Sequence, residues 1–148
     1  MDLRIRLKDE PNNLKETFNV QSIFDFGGQE RFKALIPKFL GGANGVLFVF
    51  DLTNGHSFKQ LDFWYDQVLK HANGKTIPKL LVGSKCDLIS STPMEALVPE
   101  ESILKFIREK DMNGFFKTSA LQNQNVLRVF KELNNLMLKH QNSQYVVC

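Results

Sequence analysis

Cysteine is scarce in this sequence, with only Cys86 and Cys148 among 148 residues. That argues against a disulfide framework and fits a reducing cytosol. Long apolar runs are also missing. No stretch approaches the roughly 20 residues that a membrane span needs, and Met1-Asp2-Leu3-Arg4-Ile5-Arg6 lacks the unbroken apolar segment of a signal peptide. Charge of one sign is sparse: the net charge is +3, and Lys and Arg are interspersed with acids. A nucleic-acid polymer is therefore not an expected partner. His56, His71 and His140 are too far apart to match a metal-ligand spacing. Repeats, low-complexity tracts and linkers are absent too. What remains reads as one cytoplasmic domain, residues 1–148, with no transmembrane segment. Its 43% hydrophobic content and 13 Phe suffice for a sizeable core.

Leu3, Ile5 and Leu7 alternate with Arg4, Arg6 and Lys8, a period of two that predicts a half-buried strand. The cluster Asp9-Glu10-Pro11-Asn12-Asn13 predicts a turn, and a second alternating stretch from about Thr17 to Asp25 completes a β-hairpin. Further on, Gly45 to Leu52 (GVLFVFDL) is apolar without alternation, as in a parallel strand buried on both faces. Ile77 to Gly83 and Gly114 to Ser119 are shorter candidates for the same role. Helical spacing links Phe58, Leu61, Tyr65, Val68 and Leu69, and again Val126, Val129, Phe130, Leu133 and Met137. A third helix is expected from Pro99-Glu100-Glu101, burying Ile103, Phe106 and Ile107. Trp64 and Tyr65 read as core and rim of a helix. Strands alternating with helices predict an α/β fold, a mostly parallel sheet with helices on both faces.

In such sheets ligands bind at the carboxyl ends of the strands. Three candidate strands end in suggestive residues: Asp25-Phe26-Gly27-Gly28-Gln29-Glu30, Gly83-Ser84-Lys85-Cys86-Asp87 and Thr118-Ser119-Ala120. Taken singly, each also fits an ordinary turn. In combination and in this order, with helices between, they resemble the DxxGQ, NKxD and SAK motifs of the Ras superfamily of small GTPases. The resemblance covers essentially the whole chain. DFGGQE, Phe32 and Phe39-Leu40-Gly41-Gly42-Ala43-Asn44-Gly45 look most like the Rab branch, and the Gly-Gly before Gln is similar to Arf and Gα proteins as well.

The resemblance implies GTP or GDP and Mg²⁺ as ligands. Asp25 would hold Mg²⁺ through water. Gly28 would present its N–H to the γ-phosphate, and Gln29 would orient the attacking water. The Asp87 carboxylate would accept from guanine N1 and N2, the Lys85 stem would lie along the base, and the N–H of Ala120, after Ser119, would meet guanine O6. Ser84 replaces the family's bracing Asn, and Leu121 its Lys. Effector or regulator proteins would engage the switch II region.

The family's opening strand, its G-x-x-x-x-G-K-[ST] loop and its switch I have no counterpart in these 148 residues. Gly74-Lys75-Thr76 has the letters of that loop, but Leu69 stands where its first Gly belongs. It also follows a helix and precedes a strand, the reverse of the required order, so Gly74 is read as ending a helix. Met1 is read as an internal start of an incomplete G domain. Without phosphate contacts, two charge-assisted hydrogen bonds of about 1.5–3 kcal/mol each leave a Kd between roughly tens of micromolar and several millimolar. In the family fold the missing strand lies between those ending at Asp25 and near Asp51. Their inner edges are expected to close on each other, to recruit a partner chain or self-associate, or to be completed by an absent segment. Two functional readings follow: a small GTP-binding switch with impaired activity, or a pseudo-GTPase interaction module without nucleotide turnover. Peripheral membrane attachment remains an alternative to a purely cytoplasmic location, but Tyr145 occupies the CaaX cysteine position.

Overall fold

The computed structural model of the chain describes residues 2–7, 17–26, 36–72, 75–141 and 145–147. The N-terminal alternating stretches form β1 (Asp2–Leu7) and β2 (Thr17–Val20). They pair antiparallel with Asp2 opposite Val20 and Ile5 opposite Thr17, so the expected hairpin is present. Its expected turn at 9–13 lies outside the described residues. The second strand stops at Val20, short of Asp25. β1 begins opposite Val20, so among the described residues no strand offers 21–26 a ladder to join, and an unpaired strand does not hold in water.

β3 (Val46–Asp51), β4 (Lys79–Ser84) and β5 (Gly114–Lys117) form a second sheet, parallel throughout, in the order β3-β4-β5. Val46 lies opposite Lys79 and Leu80 opposite Gly114. Among the described residues four helices accompany the strands: α1 (Ile36–Leu40), α2 (Gly55–His71), α3 (Glu100–Glu109) and α4 (Val126–His140). Two short 3₁₀ turns, Cys86–Ser91 and Met94–Ala96, lie between β4 and α3. This is the mixed α/β fold that the alternation of strands and helices predicts.

Local chemistry accounts for the helix boundaries. The Asn54 side chain accepts from the N–H groups of His56 and Ser57, and Lys70 and His71 occupy the last turn of α2, where cations suit the helix dipole. The helix ends at His71 with Ala72 as its C-cap, whereas Gly74, expected to end it, lies outside the described residues. α3 follows Pro99 and carries Glu100 and Glu101 in its first turn, as expected. Ile103 and Phe106 are buried and Ile107 half-buried.

The core sits on both faces of β4, whose Leu80 and Leu81 are fully buried. Leu81 joins Phe48, Phe50, Leu61, Ile103 and Phe106, while Leu80 and Val82 join Val129 and Leu133 of α4. β3 departs from the expected burial on both faces: Phe48 and Phe50 are buried, but Val49 is 55% exposed. The α4 cluster reaches Leu47 and leaves Val49 bare. Leu69, expected on the buried face of α2, is also exposed, and Leu61 and Val68 carry that face instead.

Among the described residues no ladder joins the two sheets. β1 takes β6 (Tyr145–Val147) as a second antiparallel neighbour, giving the order β2-β1-β6. Of the three expected outcomes, closure of the N-terminal strands onto β3 is not the one seen among the described residues. Residues 21–26 line one side of a slot of about 770 Å³, and residues 44–49 line another.

Candidate functional site

The carboxyl ends of β3, β4 and β5 meet through a set of backbone and side-chain hydrogen bonds. Ser84 Oγ donates to the Phe50 carbonyl at 2.8 Å, tying the end of β4 to β3. Thr118 N donates to the Gly83 carbonyl at 2.8 Å, and Cys86 N to the Thr118 carbonyl at 3.0 Å, which ties β4 to β5. Gly83 sits where a Cβ would come within 2.8 Å of the Leu52 side chain. A side chain at this position would therefore displace the buried Leu52 side chain.

Lys85 turns the chain out of β4 in a left-handed conformation (φ 60°, ψ 38°), uncommon for a residue with a Cβ. Its Nζ lies 2.7 Å from Asp51 Oδ2. Asp51 Oδ1 accepts from Thr53 N at 2.8 Å and from Thr53 Oγ1 at 2.7 Å. Burial pushes the Asp51 carboxyl up, but the hydrogen bonds from Lys85 and Thr53 outweigh it and hold it below the ordinary carboxylate range. The same bond from Asp51 raises Lys85. Asp87 begins the 3₁₀ turn Cys86–Ser91 and is half-buried. Its carboxylate accepts no hydrogen bond among the described residues.

After β5, Ser119 is fully buried and organises the loop. Its N–H donates to the Gln124 carbonyl at 3.1 Å, its carbonyl accepts from Gln124 N at 2.8 Å, and its Oγ accepts from Gln122 N at 3.1 Å. Asn125 Nδ2 closes the loop onto the Lys117 carbonyl at 2.9 Å. Ala120 is exposed, and its N–H has no acceptor among the described residues. Leu121 is 84% exposed.

Of the residues singled out in the sequence, the structure brings Ser84, Lys85, Asp87, Ser119 and Ala120 to the ends of two neighbouring parallel strands. Asp25 is exposed, in the non-strand segment 21–26. Its neighbours Phe24 and Phe26 pack on Phe39, with ring centroids 4.3 and 6.0 Å away. Gly28 and Gln29 lie outside the described residues. Among the described residues no three His, Cys, Asp or Glu side chains gather as a metal site. Asp51 is the residue that the sequence reading missed. The signal was an acid closing an apolar strand at its carboxyl end, the usual place for a ligand in such sheets.

A parallel sheet with helices between its strands and loops gathered at its carboxyl ends defines an α/β protein of the class that binds ligands at that end. The Ras family sequence model matches residues 8–139, and the chain belongs to that family. It is 34% identical over 131 residues to Ras-related protein Rab-7b of Mus musculus, covering 86% of this chain and 63% of that protein. It is 38% identical over 109 residues to Ras-related protein RABA5c of Arabidopsis thaliana, covering 74% and 48%. GTP-binding protein YPT1 of Saccharomyces cerevisiae is 34% identical over 108 residues, covering 73% and 50%. The chain thus spans about half to just under two thirds of the length of these relatives. Among the described residues no helix is long and apolar enough to cross a membrane.

Proposed function

We propose that this chain belongs to a small GTP-binding switch protein and supplies its guanine-recognising end. One observation carries the reading: among the described residues the carboxylate of Asp87 and the N–H of Ala120 have no hydrogen-bond partner at the ends of adjacent strands. A half-buried carboxylate without donors is costly unless a ligand provides them. Guanine N1 and N2 are donors suited to Asp87, and guanine O6 is an acceptor suited to Ala120. Adenine presents the reverse pattern on that edge. Ser119 acts by holding the loop, Lys85 lies alongside the base, and Ser84 joins the strand ends.

Asp25, Gly28 and Gln29 keep in this proposal the roles that the resemblance gives them, toward water-bridged Mg²⁺, the γ-phosphate and the attacking water. GTP bound with its metal supplies the phosphoryl group to be hydrolysed. With base contacts alone, affinity falls between roughly tens of micromolar and several millimolar.

The test is titration of the full chain with fluorescent GDP and Mg²⁺, with ATP as competitor and Asp87→Ala as control. The proposal expects GDP to be displaced by GTP but not by ATP, and affinity to drop about ten- to hundredfold for each charge-assisted bond of about 1.5–3 kcal/mol that Asp87→Ala removes. Binding indifferent to Asp87 would overturn it.

The second reading is an interaction module without nucleotide turnover, in which effectors or regulators meet the switch II region. It is favoured by the engagement of Lys85 with Asp51 at 2.7 Å and by the exposed Leu121 in place of the family's Lys.

A further inference from the structure

We infer that Asp51 is a positioning residue for the bound base: it holds the Lys85 side chain across the ends of β3 and β4 before a nucleotide arrives. This role rests on the guanine reading above, and Asp51 acts through Lys85 rather than on the base. Asp51 itself is held firmly. Its N–H donates to Ser57 Oγ at 3.0 Å, and its carbonyl accepts from Asn54 N at 3.0 Å. The next residue, Leu52, donates its N–H to the Ser84 carbonyl at 3.1 Å. Thr53 N and Thr53 Oγ1 both donate to Asp51 Oδ1, and Oδ2 is the oxygen that meets Lys85 Nζ at 2.7 Å. Bonds that lock the supporting side chain also fix the direction it offers to the next one.

Lys85 is thereby fixed at both ends. Its backbone takes the left-handed turn directly after β4, and its ammonium is bonded to Asp51 at the end of β3. A turn that only redirected the chain would favour Gly or Asn in that conformation. A lysine there is explained by the reach of its side chain. That side chain is nevertheless 58% exposed, against 16% for Asp51. With the charge occupied and most of the surface open, Lys85 offers its apolar stem to a ligand beside Asp87. A free lysine stem samples many rotamers, and ordering it on binding weakens affinity. The Asp51 contact does that ordering in the free protein. The rival account is that the contact withdraws Lys85 from the base, as the interaction-module reading requires. The two differ in sign: removing the Asp51 charge weakens GDP binding in the first and strengthens it in the second.

The experiment is a double-mutant cycle on the full chain, read by titration with fluorescent GDP and Mg²⁺. Asp51→Asn keeps the size of the side chain, removes its charge, and should weaken GDP binding about two- to tenfold. In a Lys85→Met background, which keeps a stem without the ammonium, Asp51→Asn should have no further effect. Thr53→Val removes one of the two donors to Oδ1 and should weaken GDP in the same direction by less, so the outcome does not hang on the stability of Asp51→Asn. Asp62→Asn breaks a different ion pair, that with Lys110 at 2.9 Å, and should leave GDP affinity unchanged. NMR adds a readout that stability does not move. At saturating GDP the Lys85 methylene protons should shift upfield under the guanine ring current, and less so in Asp51→Asn. GDP binding that needs Asp87 but is unchanged or strengthened by Asp51→Asn would overturn the role of Asp51 alone. An equal loss from Asp51→Asn with and without the Lys85 ammonium would do the same. Binding that is absent, or indifferent to Asp87, would overturn the guanine reading and the role of Asp51 with it.

Discussion

Asp51 gathers two bonds from Thr53 and one from Lys85, so its environment favours the charged form. Its carboxyl is held below the ordinary value of 3.8. A group whose folded pKa is depressed adds stability above the unfolded pKa and loses it as pH falls through the folded one. Asp51→Asn should therefore lower the thermal midpoint at pH 7, and the two proteins should converge as pH drops below about 4. Melting curves across pH 3–7 check this, and a gap that widens in acid would refute it. At this scale Ser84, Lys85 and Asp87 were legible because a short run directly after an apolar strand carries its own context. Asp51 was not, because the ion pair that gives it meaning joins two strands that only the sheet brings side by side. Ser119 was legible by position, but its role as the buried centre of the loop depends on Gln122 and Gln124 folding back over it.

Secondary structure was most legible where a chemical boundary coincided with a periodic pattern. Pro99-Glu100-Glu101 marks the start of α3 because Pro and acids suit a first turn, and the helix begins at Glu100. Asn54 caps α2 through the His56 and Ser57 N–H groups at 3.0 and 3.3 Å. Asn54→Ala should cost about 1 kcal/mol, measured by chemical denaturation, while Asn54→Ser should restore most of it. The extent of β2 was less legible. Residues 21–25 have the composition of a strand and are not one, because strand length is set by the partner as much as by the residues. β6 lay beyond the reach of pattern for the same reason: Tyr145–Val147 becomes a strand only by pairing with β1.

Among the residues whose burial is described, the core centres on the parallel sheet, and the antiparallel strands pair in a separate ladder. Leu80 and Leu81 are both fully buried on opposite faces of β4. Leu81→Ala, in the larger cluster, should destabilise the chain by about 2–5 kcal/mol through lost burial and the cavity left behind. A loss below about 1 kcal/mol by urea denaturation would mean that this cluster does not bear the stability of the sheet. The slot beside β3 belongs to this scale, since its walls come from segments far apart in sequence, residues 21–26, β3 and α4.

Residue order by itself determined the α/β class, the three parallel strands, the helices α2, α3 and α4, and the family. Each of these rests on local periodicity or on short runs at strand ends, which a chain carries regardless of its neighbours. Only the tertiary structure decided that the N-terminal hairpin pairs with β6 instead of closing on β3, that Lys85 is held by Asp51, and that Val49 stays exposed beside an open slot. Those outcomes depend on which strand edges find partners. Edge pairing is a competition among distant segments for the same donors and acceptors, and no local pattern records its result.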